Sequence, residues 1–173
     1  MTQYVSNQST NRTDIAKQQL STTIPEDINF KDHTTVVKYL RFLSTAQSIA
    51  EKRHRLKMSM DGVSLAFYAA FAQAKEFRGL LLLKKWLLEG RDKAEWAILR
   101  DVMSLLEKLP ISIEGLASTK LGRVVVGLGK MENADDTVKE ISIKLTKKWT
   151  SVIAEQNPPS TPALEKKPTS VNT

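Results

Sequence analysis

No cysteine occurs among the 173 residues. Disulfide frameworks, thiolate nucleophiles and thiolate zinc sites are therefore excluded, and the composition suits a reducing compartment. Apolar runs of membrane length are missing as well: the leucine run Leu80 to Leu83 stops at Lys84 and Lys85, and the start MTQYVSNQSTNRTD lacks an apolar stretch of signal-peptide length. A soluble intracellular protein with no membrane partner is the expectation. Aromatic residues make up only 6% of the chain, and Phe67, Phe71, Trp86, Trp96 and Trp149 fall where a core would want them. That argues against an exposed base-stacking platform. Of two histidines, His33 lies at a helix entry and His54 in a basic run. Neither has an acidic residue at triad or metal-site spacing, so catalytic and metal roles find no constellation here.

What is abundant is positive charge. A net charge of +7 and a pI near 9.6 make acidic partners the natural class, whether nucleic acid, anionic lipid or acidic peptide. The basic residues cluster in three places: Lys52, Arg53, His54, Arg55 and Lys57; Lys120, Arg123 and Lys130; and Lys139, Lys144, Lys147 and Lys148. Each cluster serves equally as a solubilising face, as the rim of a groove for an acidic amphipathic peptide, or as a set of phosphate contacts.

Helical periodicity fills the middle of the chain. The Ser/Thr/Asn/Gln-rich residues 1–30 and the Pro-rich NPPSTPALEKKPTSVNT from Asn157 read as disordered tails, leaving residues 31–156 as the folded part. A tail that stops without a closing element suits a fragment of a longer protein as well as a short natural chain. The spacing of Val36, Leu40, Leu43 and Ala50 predicts one helix over about 34–54, capped by Asp32 or Thr34. Asp61 reads as the N-cap of a second, with Val63, Phe67, Ala70, Phe71 and Ala74 on one face. FRGLLLLKKWLLEG is apolar on most sides and predicts a central third helix ending at Gly90. The stripe Ile98, Leu99, Val102, Leu105, Leu106, Leu109 predicts a fourth, stopped by Pro110. Val124 to Val126 keep helical company with Leu121 and Leu128, and Val138, Ile141, Leu145, Trp149 and Val152 align behind Asp135 and Asp136 in the last helix. An all-α bundle of about six to eight helices follows.

Four of seven glycines fall in LPISIEGLASTKLGRVVVGLGK, residues 109–130. A phosphate loop needs G-x-x-x-x-G-K-[ST] between a strand and a helix. Gly127 is followed by Leu128, and Gly129-Lys130 by Met131, so neither register completes the motif. The stretches LLEKLPISIEGL, STKLGRVVVGLGK and ISIKLTKKWTSVI instead resemble, in order and spacing, the N-terminal domain of transcription elongation factor TFIIS, the LW or TND module, over residues 79–156. Leu109, Pro110, Leu116, Leu121, Gly122 and Trp149 carry the likeness, while Gly127 and Gly129 depart from the pattern and put the length of that short helix in question. The resemblance implies a right-handed helical bundle, no enzymatic activity and no cofactor. It further implies a nuclear scaffold that docks short disordered acidic motifs with large apolar anchors, from RNA polymerase II elongation or phosphatase-regulation factors. Residues 31–76 would be extension helices and 77–156 the core, as in the longer versions of the module, PNUTS or the elongation factor partnering the histone chaperone of elongating polymerase. FRGLLLLKKWLLEG looks closest to PNUTS, a link to type-one phosphatase. Lys120, Arg123, Lys144, Lys147 and Lys148 would form the cationic rim, with nucleic-acid binding through the basic clusters as the alternative.

Overall fold

The computed structural model describes residues 23–58 and 62–158. Within them the chain forms eight α-helices and no strand: α1 Val36–Ser44, α2 Ile49–Met58, α3 Leu65–Ala72, α4 Arg78–Asp92, α5 Trp96–Lys108, α6 Ile113–Thr119, α7 Leu121–Gly129 and α8 Asp136–Gln156. Short 3-10 turns at His33–Thr35 and Lys75–Phe77 lead into α1 and α4. One hydrophobic core runs from Ile28 to Trp149. Of the expected tail 1–30, residues 1–22 lie outside the described residues. Ile28, however, is buried, and the Phe30 ring sits edge-on against Tyr39 at 5.2 Å and Phe67 at 5.3 Å. The folded part therefore begins a few residues before position 31.

The single helix expected over 34–54 is two. Thr45 Oγ1 donates back to the Phe42 carbonyl, which closes α1, and Ser48 Oγ accepts the Glu51 N–H while Glu51 Oε2 accepts the Gln47 N–H, opening α2. This is the Ser-x-x-Glu start signal, in which a hydroxyl and a carboxylate satisfy the free amides of a helix end. Ala50, placed on the buried stripe by the one-helix reading, is exposed. Asp32 does cap the entry, accepting from Thr34 N at 2.9 Å and Thr34 Oγ1 at 2.8 Å, bonds that hold its carboxyl below the usual range. The cap of α3 is Ser64, whose Oγ accepts from Phe67 N at 3.1 Å; Asp61, expected there, lies outside the described residues.

Gly90 does not end α4. It stands two residues before the end at Asp92, buried where a Cβ would come within 2.7 Å of Ile98 Cγ2, so its role is close approach of α4 and α5. The chain reverses instead at Ala94, with φ of 53°, and Glu95 N–H returns to the Gly90 carbonyl at 2.8 Å. Downstream, α5, α7 and α8 stand where the spacing places them, and a short helix, α6, which the spacing does not predict, lies between α5 and α7. Leu109 ends α5 fully buried, Ser112 caps α6 by accepting from Gly115 N at 3.0 Å, and Lys120 at φ 57° makes the corner into α7. Val138, Leu145 and Trp149 are buried along α8, with Ser142 rather than Ile141 completing the buried stripe.

The glycine question resolves in favour of a full helix. Gly127 and Gly129 both lie within α7, whose interior amides are committed to its own hydrogen bonds, so no phosphate cradle exists there. Their surroundings differ. Nothing lies within 4 Å of a Cβ built on Gly127, whereas on Gly129 it would stand 2.9 Å from Ser142 Cβ and overlap Ser142 Oγ. Ser142 Oγ in turn donates to the Val125 carbonyl at 2.6 Å, locking α8 onto α7.

Gly127→Ala is accordingly expected to stabilise the protein by about 0.5–1 kcal/mol through helix propensity, and Gly129→Ala to destabilise it by about 1–3 kcal/mol through overpacking; denaturant melts of the two variants should shift in opposite directions. Trp149 is 4% exposed and its Nε1 makes no hydrogen bond among the described residues. Trp149→Ala should therefore cost about 3–5 kcal/mol, and Trp149→Phe only about 1 kcal/mol because no indole bond is lost, both measured by the same melts.

Candidate functional site

The five residues expected to form a cationic rim separate into two groups. On α8, Lys144 Nζ pairs with Glu107 Oε1 at 2.7 Å and Lys148 Nζ donates to the Glu107 main-chain carbonyl. With Leu145 they surround a shallow depression of about 370 Å³ between α5 and α8. These two lysines are engaged in docking α8 onto the C-terminal end of α5, where cations favour the helix dipole. Lys120, Arg123 and Lys147 are exposed and have no ion-pair partner among the described residues.

Two residues of the first basic cluster are buried and a third is half-buried. Lys52 is 5% exposed, bonded to Glu89 Oε2 at 2.6 Å with its ammonium 5.7 Å from the Trp86 ring centre. Arg53 Nε meets Asp101 Oδ2 at 2.6 Å. Arg55, 4% exposed, lies 4.2 Å over the Phe42 ring and donates to Glu51, to the Phe42 carbonyl and, at 2.8 Å, to Thr45 Oγ1. A run of basic residues in α2 is thus the fastening of that helix, whose only buried apolar side chain is Leu56. Of that cluster His54 and Lys57 remain exposed, and His33 is likewise exposed.

The most promising recess was not foreseen. Between α1 and α4 lies a groove of about 650 Å³ with an aliphatic floor of Val37, Leu40, Leu81 and Leu82. Val37 is 69% exposed and Leu81 43%, both unusual for residues of that type in helices facing a neighbour. Four cations stand round it: Arg41 from α1, Lys75 from the 3-10 turn, and Arg78 and Lys85 from α4. Of these, only Arg78 has an ion pair among the described residues, an exposed one of 3.6 Å with Glu76. The turn that sets Lys75 and Arg78 is forced, since Glu76 and Phe77 both adopt left-handed backbone, φ 56° and 53°, without being glycine. The sequence signal existed: Val37 and Arg41 on the side of α1 away from its buried stripe, and Leu81 and Lys85 on α4, are each four residues apart, a spacing that places both members of a pair on one face.

Known proteins bear on this geometry. Residues 101–153, from the middle of α5 to near the end of α8, match the family described as Med26: TFIIS helical bundle-like domain. That stretch is similar to the TFIIS-type helical bundle. Over 109 residues it is 30% identical to transcription factor iws1 of Aspergillus fumigatus, and equally so, over 109 residues, to transcription factor iws1 of Emericella nidulans. Each match takes in 60% of this chain and about a quarter of the relative, 24% and 23% respectively. The kinship to PNUTS expected from FRGLLLLKKWLLEG finds no support in these relatives. Leu109, Pro110, Leu116, Leu121, Gly122 and Trp149, the residues of the expected likeness, all fall inside the matched TFIIS-like stretch. The cation-rimmed groove lies outside it, on α1 and α4.

Among the described residues, no group of three His, Asp or Glu side chains is arranged to hold a metal ion, and no helix is long and apolar enough to cross a membrane. Besides Asp32, the carboxyl of Glu89 is displaced from its ordinary range. The Lys52 ammonium first and Lys93 second, the latter at 3.1 Å, hold its carboxyl below the ordinary value of 4.5.

A depressed carboxyl contributes stability that is complete above its unfolded pKa and is lost as pH falls through the lower folded value. Glu89→Gln should therefore destabilise the protein by roughly 2–3 kcal/mol at neutral pH, because it leaves Lys52 buried without its counter-charge. Lys52→Met should cost less, since Glu89 keeps Lys93. Thermal melts from pH 6 to pH 3 are expected to bring wild type and Glu89→Gln together at the acid end; curves that stay parallel would refute the assignment.

Proposed function

We propose that the folded part, residues 31–156 with the few residues before them, is a non-enzymatic nuclear interaction module of the transcription elongation machinery. It docks short disordered segments that carry acidic residues beside large apolar anchors. The observation that carries this reading is the α1–α4 groove, where aliphatic side chains exposed to solvent are surrounded by four cations, of which only one is ion-paired among the described residues. Apolar anchors would gain from burial on Val37, Leu40, Leu81 and Leu82, while carboxylates at the rim confer register and speed of encounter more than raw affinity. The TFIIS-like domain and the likeness to transcription factor iws1 support the setting in transcription. Partners in the RNA polymerase II apparatus fit that setting best; Lys120, Arg123 and Lys147 are the remaining exposed cations of the expected rim, with Lys144 and Lys148 held by Glu107.

Nucleic acid is the competing ligand for a cationic surface, and the groove's aliphatic floor favours the peptide. Titration of isotopically labelled protein with peptides holding a Leu and a Phe among aspartates is expected to move the amide resonances of α1 and α4. Arg41→Glu with Lys85→Glu should abolish those shifts without changing the melting temperature by more than a few degrees. Absent shifts, or a duplex DNA that binds more tightly at about 0.15 M salt, where purely electrostatic binding fades, would defeat the proposal.

A further inference from the structure

The groove accounts for the anchors of a bound segment but not for where its acidic flank goes. The solvent face of α4 supplies a path. Leu81, Lys84, Lys85 and Leu88 stand at steps of three and four, the spacing of one helical face. Lys85 belongs to the groove rim. Its neighbour Lys84 reaches the other way, donating to the Thr119 carbonyl at the end of α6 at 2.7 Å. That bond joins the outer edge of α4 to the α6–α7 corner and cancels the negative end of α6 there. The next residue is Lys120, followed within one turn by Arg123, both exposed and without an ion-pair partner among the described residues.

Resting on the docking function proposed above, we infer that an acidic peptide segment of another protein, anchored in the α1–α4 groove, continues across α4 to the α6–α7 corner, where Lys120 and Arg123 receive its carboxylates. Charge complementarity selects this occupant. The chain's own terminal stretches do not complement a cationic track, having Arg12 and Lys17 against Asp14 at one end and Lys166 and Lys167 against Glu165 at the other. A nucleic-acid strand would want aromatic stacking partners between the cations, and the intervening side chains here are leucines. The corner thus acts as a second station for the same ligand, adding affinity only when the segment is long enough to reach it.

The test uses the full chain and fluorescence anisotropy at about 0.15 M salt. The probes are a labelled peptide with a Leu and a Phe flanked by aspartates, and two longer forms carrying a run of glutamates at the N-terminal or the C-terminal side. One longer form is expected to bind about three- to ten-fold tighter than the short one, the range that one or two exposed charge pairs provide. Lys120→Glu with Arg123→Glu should erase that gain and leave the short peptide's affinity unchanged; melting of this double variant checks that it is folded. The inference is overturned if neither extension tightens binding or if the gain survives the double variant. It is also overturned if a single-stranded oligonucleotide of equal charge displaces the long peptide better than the glutamate run does. A short peptide that binds only with Arg41 and Lys85 intact, combined with an extension that adds nothing, would retain the docking function and discard the path; no binding of the short peptide would discard both.

Discussion

Burial of one helix from nearly every side organises this molecule. Leu80, Leu83 and Leu87 of α4 have no exposed surface, and Trp86 is 3% exposed, so α4 must be wrapped by other elements. It touches α1, α3, α5, α6 and α7. Each neighbour takes its position from that requirement: α5 comes close because Gly90 has no side chain, and α6 is pinned by Lys84. Each buried leucine is worth roughly 1.5–3 kcal/mol, which is why α4 tolerates two lysines on its single uncovered face. The surface on which function is proposed is that uncovered face and its borders, so core and site are two sides of one helix.

Charge does two separate jobs here, and the sequence does not label them. In α2, basic residues substitute for the apolar stripe the helix lacks, and Lys52, Arg53 and Arg55 each find a carboxylate on α4, on α5 or within α2. Around the groove, Arg41, Lys75 and Lys85 find none among the described residues. The distinction depends on whether an acidic residue 37 or 48 positions away in sequence arrives at the same place. Periodicity is local information and cannot supply it.

The same contrast explains what was legible. Of the last four helices, α5, α7 and α8 are legible from spacing because the Leu109-Pro110 stop and the acidic start at Asp135 mark their ends, whereas α6 is too short to show a stripe and is not among the expected helices; the resemblance to the TFIIS-type domain rests on this part. Trp149 was placed correctly because one long stripe fixes it. The split between α1 and α2 was written in Ser48-x-x-Glu51 but was masked by a run of apolar residues that fits one continuous period. The Ser64 cap of α3 is less legible, because Asp61, three residues earlier, is an equally good N-cap residue type. The groove was illegible for a deeper reason: Val37 and Leu81 look like ordinary core residues, and only the packing of α1 across α4 leaves them uncovered. Of the expected rim, Lys144 and Lys148 looked as free as Lys120 because the carbonyl and carboxylate of Glu107 belong to a distant helix.

The turn before α4 ties these parts together mechanically. Left-handed backbone at two successive side-chain-bearing residues costs on the order of 1–2 kcal/mol each, so something must hold Glu76 and Phe77 there. The Phe77 ring lies over Gly115 of α6, close enough that a Cβ on that glycine would sit 3.3 Å from the ring edge. The ring is a peg and the bare glycine its socket. Lys75 and Arg78, one on either side of the turn, therefore cannot spread apart without drawing the peg from α6, which makes the spacing of these two rim cations a property of the whole bundle rather than of the two side chains alone.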